Sequence, residues 1–452
     1  MKKSALFAPA LVAVMALSAY AQQGIQTSAD RKETLKVTVS GGFDIDWVFR
    51  GKELVAVLGG GFEDEARIES NSNVRFDLDL SSKVSVLLNL AAVRLNGDYS
   101  NIGTLGSDGQ SVVMWDVAVR MQEVLDNAVT MQVGTQNDFT FDIRGKGSCL
   151  FFAPGQAGTF GANTGGSLDY NQVAGVVLWY NRDAAHFAVA LLPAIFEGGA
   201  ASNDEAAYAV TFYYDLDSVG KGSRIGAILA VNALSEAAVG SATSQIITIG
   251  GGASLKGLGG MNNLEVFAEF YIQSGDVGTS GDAGGTAFNI GGRFDIEGES
   301  APWVELNITV LSGDDDPLDS DIDQFLSYEN VNDFMIVESN LYGINLGTNY
   351  RAIKIMGGMS FTAGTGEKNN VTLTGGLGIF TASEDIAAGG SVGNTDKIGT
   401  EFDVKLAYWY SRAVSIDVGF AFLSGSEVLE GATAPEDEDS TMLLTIGVGG
   451  KF

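Results

Sequence analysis

The chain has 452 residues and is acidic, with a formal net charge of -30, while 45% of its residues are hydrophobic. Nucleic-acid binding depends on basic side chains that neutralise phosphates, so this charge balance argues against a nucleic-acid partner. The single cysteine, Cys149, excludes an intramolecular disulfide, and the single histidine, His186, excludes a histidine-rich zinc site.

The N-terminus has the pattern of an export signal. Lys2 and Lys3 precede a short apolar run, and Ala19 and Ala21 form a small-x-small cleavage site. The apolar run is too short for a membrane anchor. We therefore expect a signal peptide over residues 1–21, a short periplasmic segment over 22–34 and the main domain over 35–452.

Beyond the signal, apolar and polar residues alternate with a period of two, which indicates β-strands that bury one face. The alternation is clearest over residues 35–49 and recurs over 74–80, 113–121, 264–273, 401–408 and 415–422. No second stretch reaches the roughly 20 apolar residues that a membrane helix needs. A membrane location would therefore require a closed barrel, whose strands satisfy one another's backbone groups.

Short turns and long polar stretches alternate along the chain, as in bacterial barrels with short periplasmic turns and longer outer loops. The predicted turns lie at residues 81–83, 181–183, 297–302 and 411–412. The predicted long loops lie at 51–73, 137–171, 312–340, 381–397 and 424–440. A simple count gives about 19 strands, although bacterial single-chain barrels have even numbers. Assigning one crossing, at 350–361, to the region 341–361 gives about 18. We predict an all-β fold, a transmembrane antiparallel up-and-down β-barrel of about 18 strands in the bacterial outer membrane.

The chain ends in a strand pattern and an aromatic residue. Leu444, Ile446, Val448 and Phe452 share one face, on which Gly450 stands where a larger residue would be usual. We expect this strand to pair with the first one and close the barrel in outer-membrane lipid. Phe452 is the predicted assembly signal for the barrel-assembly machinery and periplasmic chaperones.

The polar faces of the strands would line the lumen if the apolar faces meet lipid. The predicted lumen-facing bases are Lys36, Arg50, Arg75, Arg120, Arg293, Lys354 and Lys405. The predicted lumen-facing acids are Asp44, Asp46, Asp77, Asp79, Asp116, Glu265, Glu269, Asp295, Glu305, Glu401, Asp403 and Asp417. The excess of acids favours cations, but acid–base pairs across strands would remove that preference. Both interpretations stay open.

The densest acidic cluster follows residue 312. Its candidate calcium ligands are Asp314, Asp316, Asp319, Asp321 and Asp323. The glycine and closing glutamate of an EF-hand are missing, and a solvated acidic loop is the alternative. We expect no other cofactor. His186 lies beside a tight turn and is interpreted as a turn residue, so no enzymatic activity is predicted.

The C-terminal part of the chain resembles a known family. A strand runs into residues 311–315, a long loop carries Phe325, and the sequence Gly-Thr-Glu-Phe-Asp at 399–403 begins a further alternating strand. This order, over residues 303–452, is similar to the alginate-export family of outer-membrane barrels. The resemblance implies an 18-stranded barrel and a basic lumen that passes an acidic polysaccharide. The chain departs from the family at Thr135, where the family often has arginine between glycine and glutamine.

These patterns predict a passive outer-membrane channel for small hydrophilic solutes or cations. One alternative is an alginate-export-like polysaccharide exporter, which would need Arg75, Arg120 and Arg293 to converge at a constriction. The alternative of another class is a barrel enzyme or a surface adhesin that uses the outer loops. An adhesin would have its lumen plugged by the loop at 137–171, which in an open porin would only narrow the bore.

Overall fold

A computed structural model describes residues 36–51, 65–94, 111–124, 128–136, 139–146, 149–152, 172–196, 204–235, 243–277, 281–316, 321–327, 331–339, 343–344, 346–363, 370–389, 393–432 and 439–451. The predicted signal peptide, the segment 22–34 and Phe452 lie outside these residues, so those three predictions stay predictions.

The described residues form one closed antiparallel sheet of 18 strands. Each strand pairs with its neighbours along the chain, and the first strand also pairs with the last. This confirms the predicted fold and strand number. The strands are β1 (Lys36–Arg50), β2 (Glu65–Asp79), β3 (Val84–Arg94), β4 (Ser111–Gln122), β5 (Val129–Thr135), β6 (Gln172–Arg182), β7 (Ala185–Phe196), β8 (Asp204–Asp215), β9 (Arg224–Ser235), β10 (Thr243–Lys256), β11 (Leu264–Val277), β12 (Gly281–Asp295), β13 (Trp303–Leu311), β14 (Tyr350–Phe361), β15 (Val371–Gly389), β16 (Gly393–Trp409), β17 (Val414–Ser424) and β18 (Thr441–Lys451).

The connections at one end of the barrel are short turns, as predicted. Ser81 shows how sequence fixes such a turn, because its hydroxyl accepts hydrogen bonds from the backbone amides of Lys83 and Val84. Ser411 does the same for Ala413 and Val414 between β16 and β17. At the opposite end, long connections join β5 to β6 and β13 to β14.

Two predicted long loops are wrong in part. Residues 65–73 of the predicted loop 51–73 belong to β2 and pair with β1. Residues 381–397 are largely a continuation of β15 and β16, which reach Gly389 and resume at Gly393. The pairing in this part is irregular, with register shifts between Thr381 and Ile386. The sequence of this hairpin is polar like that of a loop because strands that extend beyond a membrane no longer need an apolar face.

The outer face of the barrel is apolar. On β14, Ile353 and Ile355 are 49% and 51% exposed, whereas Lys354 between them is 1% exposed. This arrangement is the reverse of a soluble protein and suits a wall that contacts lipid. Helices are short in the described residues: a 3-10 turn, Leu258–Gly260, and α1, Glu427–Ala432. Within these parts of the chain, no helix has the length and hydrophobicity to cross a membrane.

The buried core lies inside the barrel because two long connections fold inward. Loop A consists of the described residues 139–146 and 149–152, and loop B consists of 321–327 and 331–339. Phe151 of loop A and Phe325 of loop B are fully buried, with their ring centroids 5.7 Å apart. The barrel therefore has an apolar exterior and a lumen partly filled by its own loops.

Candidate functional site: a lumen narrowed by two inward loops

Loop A is held against the inner wall by aromatic packing. Phe141 stacks on Tyr213 of β8 with a centroid distance of 5.1 Å, and Phe139 meets Phe152 edge to face at 5.8 Å. The wall beneath this cluster is built from small side chains, which leave room for the rings. The fully or nearly buried alanines of this wall are Ala188, Ala190, Ala207, Ala209 and Ala230.

Ion pairs fix the tip of loop A to β11 and β13. The Arg144 guanidinium donates two hydrogen bonds to the Glu305 carboxylate, at 2.7 and 2.8 Å, and lies 3.6 Å from the centroid of the Phe267 ring. Lys146 donates to Glu265 at 2.6 Å. Burial lowers the pKa of Arg144, but the Glu305 carboxylate outweighs this effect and holds the pKa above its usual value. Glu265 and Glu305 lie on the inner wall and are covered by loop A.

Cys149 has a structural environment. Its thiol donates to the carbonyl of Phe141 at 3.0 Å and accepts the amide of Phe152 at 2.9 Å. Burial raises the pKa of the Cys149 thiol, which keeps it protonated and unreactive. The residue therefore closes the turn of loop A.

The first part of loop B lies against β11 and β12. The Gln273 side chain donates to the carbonyl of Leu326 at 2.6 Å and accepts its amide at 2.8 Å. Ile322 forms an isolated parallel bridge with Ala283. A Cβ atom on Gly285 would lie 2.8 Å from the Cα of Phe325, so glycine lets the loop backbone approach the wall.

The predicted calcium ligands lie at the start of this loop. Asp321 accepts the backbone amide of Asp282 at 2.8 Å, and Asp314 accepts that of Asp316 at 3.3 Å. Asp323 belongs to loop B, and Asp319 lies outside the described residues. Among the residues that the structure describes, no group of three or more potential ligands could hold a metal ion. The calcium site stays a prediction.

The second part of loop B covers three further predicted lumen residues. Glu401 and Asp403 on β16 and Lys354 on β14 are 0%, 2% and 1% exposed. All three bind loop B directly: the two carboxylates accept backbone amides, and Lys354 forms ion pairs. Glu269, which is also buried, accepts the hydroxyl of Tyr271 at 2.9 Å. These inward charges are thus engaged by loops or neighbours.

A different part of the wall remains in contact with solvent. Lys36 and Asp44 on β1 are exposed, and the side chains of Arg75 and Asp77 on β2 keep 38% and 35% of their accessible surface. The Arg75 guanidinium donates to Asp77 at 3.0 Å. In the described residues, solvent therefore reaches the inner wall along β1 and β2, opposite the wall that carries the loops.

Asp44, Asp46 and Asp417 flank this open wall at the seam where the barrel closes. Glycines at 447 and 449 on β18 leave space between them, since a Cβ on Gly449 would lie 2.6 Å from an Asp44 carboxylate oxygen. Asp417 accepts the hydroxyl of Ser415 at 2.9 Å. Asp44 is exposed, and Asp46 and Asp417 are half-buried.

The other predicted lumen residues have individual partners. Arg120 donates to Gln132 at 3.0 Å, and Arg293 donates to Asp295 at 2.9 Å. Lys405 contacts the carbonyl of Asp333 at 3.3 Å. Arg50 is buried near the end of β1, Asp79 is half-buried, and the side chain of Asp116 lies outside the described residues. The arginines expected to converge in an exporter are each bound on their own or an adjacent strand. Their role in lining the pore, like that of the whole predicted set, stays a prediction.

His186 is held at the turn between β6 and β7. One ring nitrogen contacts the Asn181 side chain and the other contacts Asp215, both at 2.9 Å. With both nitrogens engaged, the ring ties the turn to β8 and has no free nitrogen to activate a nucleophile.

Sequence reasoning missed the loop residues that narrow the lumen. Arg144 and Lys146 lie in the predicted loop 137–171, and Asp333 and Glu338 lie in the predicted loop 312–340. Neither stretch has a period-two pattern, and none of these four residues is a predicted lumen residue. The available signal was the apolar content of those stretches, such as the phenylalanines at 139, 141, 151 and 152, which a solvated loop would not need.

Comparison with known proteins shows the same fold. No protein-family model matches the chain, and no curated protein matches its sequence. Solved structures do match over nearly the whole chain. The outer membrane protein opdK from Pseudomonas aeruginosa aligns with 92% of this chain and 99% of its own, at 10% identity and a TM-score of 0.53. OccK9 (OpdG) from the same organism aligns with 92% and 99%, at 11% identity and a TM-score of 0.55. OccAB2 from Acinetobacter baumannii aligns with 92% and 98%, at 9% identity and a TM-score of 0.56.

The chain has the fold of an outer-membrane porin barrel. At these identities the likeness concerns architecture alone. The resemblance to the alginate-export family that the C-terminal sequence suggested is not confirmed by these matches.

Proposed function

We propose that the protein is a passive channel of the bacterial outer membrane for small hydrophilic solutes, with a preference for cations. The observation that carries the proposal is the uneven filling of a closed barrel. Loops cover the inner wall formed by β7 to β17, while charged side chains of β1 and β2 stay in contact with solvent. A closed barrel with an apolar exterior and a wetted polar inner wall is suited to diffusion of water-soluble molecules.

The cation preference rests on the charges that loops leave uncovered. Glu265, Glu305, Glu401 and Asp403 are neutralised or hydrogen-bonded by the loops. The carboxylates of Asp44, Asp46 and Asp417 remain on the partly exposed seam. Carboxylates that line a pore favour cations.

Single-channel recording in planar bilayers tests this function. We expect discrete conductance steps. In a KCl gradient, we expect a reversal potential that is shifted toward the equilibrium potential of K⁺. Folding of the barrel is checked by its heat-modifiable migration on gels. No conductance from a folded barrel would reject the channel, and an anion-selective reversal potential would reject the cation preference.

An alginate-export-like exporter is the second candidate, favoured by the order of motifs over residues 303–452. Polyanions need a basic path, whereas Arg75 is bound by Asp77 and Arg293 by Asp295. Alginate oligomers added to the recording chamber discriminate between the two functions. Concentration-dependent block of the current would favour the exporter, and an unaffected current favours the channel for small solutes.

A further inference from the structure

Residues 331–339 of loop B cover the inner wall of β14 to β17 and are almost completely buried. Phe334 and Ile336 are 1% and 0% exposed. This segment, called the strap below, has bends but no helix or strand of its own. Its backbone groups must therefore find partners on the barrel wall.

Three backbone amides of the strap donate hydrogen bonds to two acidic side chains of β16. The amides of Ile336 and Val337 donate to the two oxygens of Glu401 at 2.6 and 2.9 Å, and the amide of Met335 donates to Asp403 at 2.8 Å. Consecutive amides that point to one side form a nest with positive partial charge, which binds anions. Here the acceptors are the carboxyl oxygens of two side chains of β16.

The buried side chain of Lys354 binds acidic side chains near both ends of the strap. Lys354 donates to Asp333 at 2.6 Å and to Glu338 at 3.0 Å. Tyr350 also contacts Glu338 at 3.3 Å. Burial raises the pKa of the Asp333 carboxyl, but Lys354 outweighs this effect and holds the pKa below its usual value.

Glycines on the inner wall leave space in which side chains of the strap pack. A Cβ on Gly376 of β15 would lie 3.0 Å from the Phe334 ring, and a Cβ on Gly419 of β17 would lie 2.7 Å from the Met335 methyl group. Phe334 also meets Phe380 edge to face at 5.3 Å. Shape and charge thus place the strap on one patch of wall.

We propose that Glu401 and Asp403 are positioning residues that seat the strap and thereby set the bore of the channel. This inference rests on the proposed channel function and adds which side chains define its width. Without these carboxylates, three buried amides lose their acceptors. The strap then leaves the wall and moves within the lumen, which changes the conductance.

The experiment uses the full-length protein refolded into detergent and bilayers. The variants are Glu401→Gln and Asp403→Asn, singly and together, because an amide keeps the size of the side chain but removes its negative charge and replaces one of its two acceptor oxygens with a donor. Asp396→Asn, an exposed acid on the same strand, is the matched control. Two readouts are taken: amide hydrogen exchange of residues 334–337 and single-channel conductance.

The double variant is expected to lose exchange protection at residues 334–337 and to change the mean conductance by about twofold, with added flicker noise. The control keeps the parental values. Unchanged protection would overturn the seating role, and lost protection with unchanged conductance would overturn the effect on the bore. A parental barrel without conductance would reject the channel itself, while exchange would still report on the seating.

A second variant pair separates seating from charge. Gly376→Val fills the seat of Phe334 without altering a carboxylate, and Gly292→Val places the same side chain on the outer face of β12, where a Cβ has only an ordinary 3.5 Å contact. Gly376→Val should reproduce the conductance change, and Gly292→Val should not. A folded Gly376→Val barrel with parental conductance and flicker would contradict the proposal.

Discussion

Single residues on the outer face explain how the barrel closes. Gly450 on β18 lies directly opposite Phe43 on β1, and a Cβ at position 450 would overlap the Phe43 ring. The ring therefore fills the space above the glycine, an arrangement in which an aromatic compensates for a glycine on the neighbouring strand. The glycine that looked like a weakness in the terminal strand is paired with the side chain that covers it.

This pairing predicts a cost for removing the ring. Phe43→Ala should lower the free energy of unfolding by about 1 kcal/mol more than Phe49→Ala, because only Phe43 covers a glycine in its cross-strand pair. Phe49 is equally exposed, at 39%, and lies opposite Leu444. Urea unfolding in detergent micelles or vesicles measures both variants, and equal losses would contradict the role of the Phe43–Gly450 pair.

At the scale of elements, the strands could be predicted because their signal is local. Alternation assigns Lys354 to the inner face of β14, and in the structure Lys354 is 1% exposed while its neighbours Ile353 and Ile355 are about half exposed. The contacts of the loops could not be predicted in the same way. Glu401 binds the amide of Ile336, 65 residues away in the chain, and period two contains no information on such a partner.

The loops also explain why the charges of the lumen were hard to interpret. An inward acid that a loop covers and an inward acid that stays in contact with solvent have the same sequence pattern, because both alternate with apolar residues. Glu305 is bound by Arg144 of loop A, while Asp44 remains exposed. Which acids stay accessible depends on where two long connections fold, and those connections have no repeating pattern.

Loop A provides a test that is independent of loop B. Gly226 on β9 faces inward, and a Cβ there would lie 2.8 Å from both Ile143 of loop A and the Tyr213 ring. Gly226→Leu should therefore displace loop A, lower the free energy of unfolding by about 1–3 kcal/mol through overpacking, and change the conductance. The neighbouring Ala227 is exposed on the outer face, so Ala227→Leu is the control and should keep the parental conductance. Equal behaviour of the two variants would show that loop A does not depend on this contact.

At the scale of the whole molecule, the barrel has two unlike halves. One half supplies small or complementary inward residues that bind loops, and its acids are buried against basic side chains, backbone amides or a tyrosine hydroxyl. The other half, around β1, β2 and the seam, carries charges that water reaches. We therefore expect the ion path of the proposed channel to run off-centre and a small set of carboxylates to set its selectivity.

The carboxylates at the seam give the sharpest test of this asymmetry. Removing the charges of Asp44, Asp46 and Asp417 together, as Asp→Asn changes, should lower the cation-over-anion permeability ratio by about tenfold at 0.1 M salt. Each charge about 8 Å from an ion contributes roughly 0.2 kcal/mol after screening, with opposite signs for a cation and an anion. Glu299→Gln removes an exposed charge from the turn between β12 and β13 and should leave the ratio unchanged. Reversal potentials in a KCl gradient measure the permeability ratio of both variants.

The change in the permeability ratio should be smaller at high salt, because screening shortens the distance over which the carboxylates act. A ratio that stays at the parental value in the triple variant would mean that the selectivity does not arise at the seam.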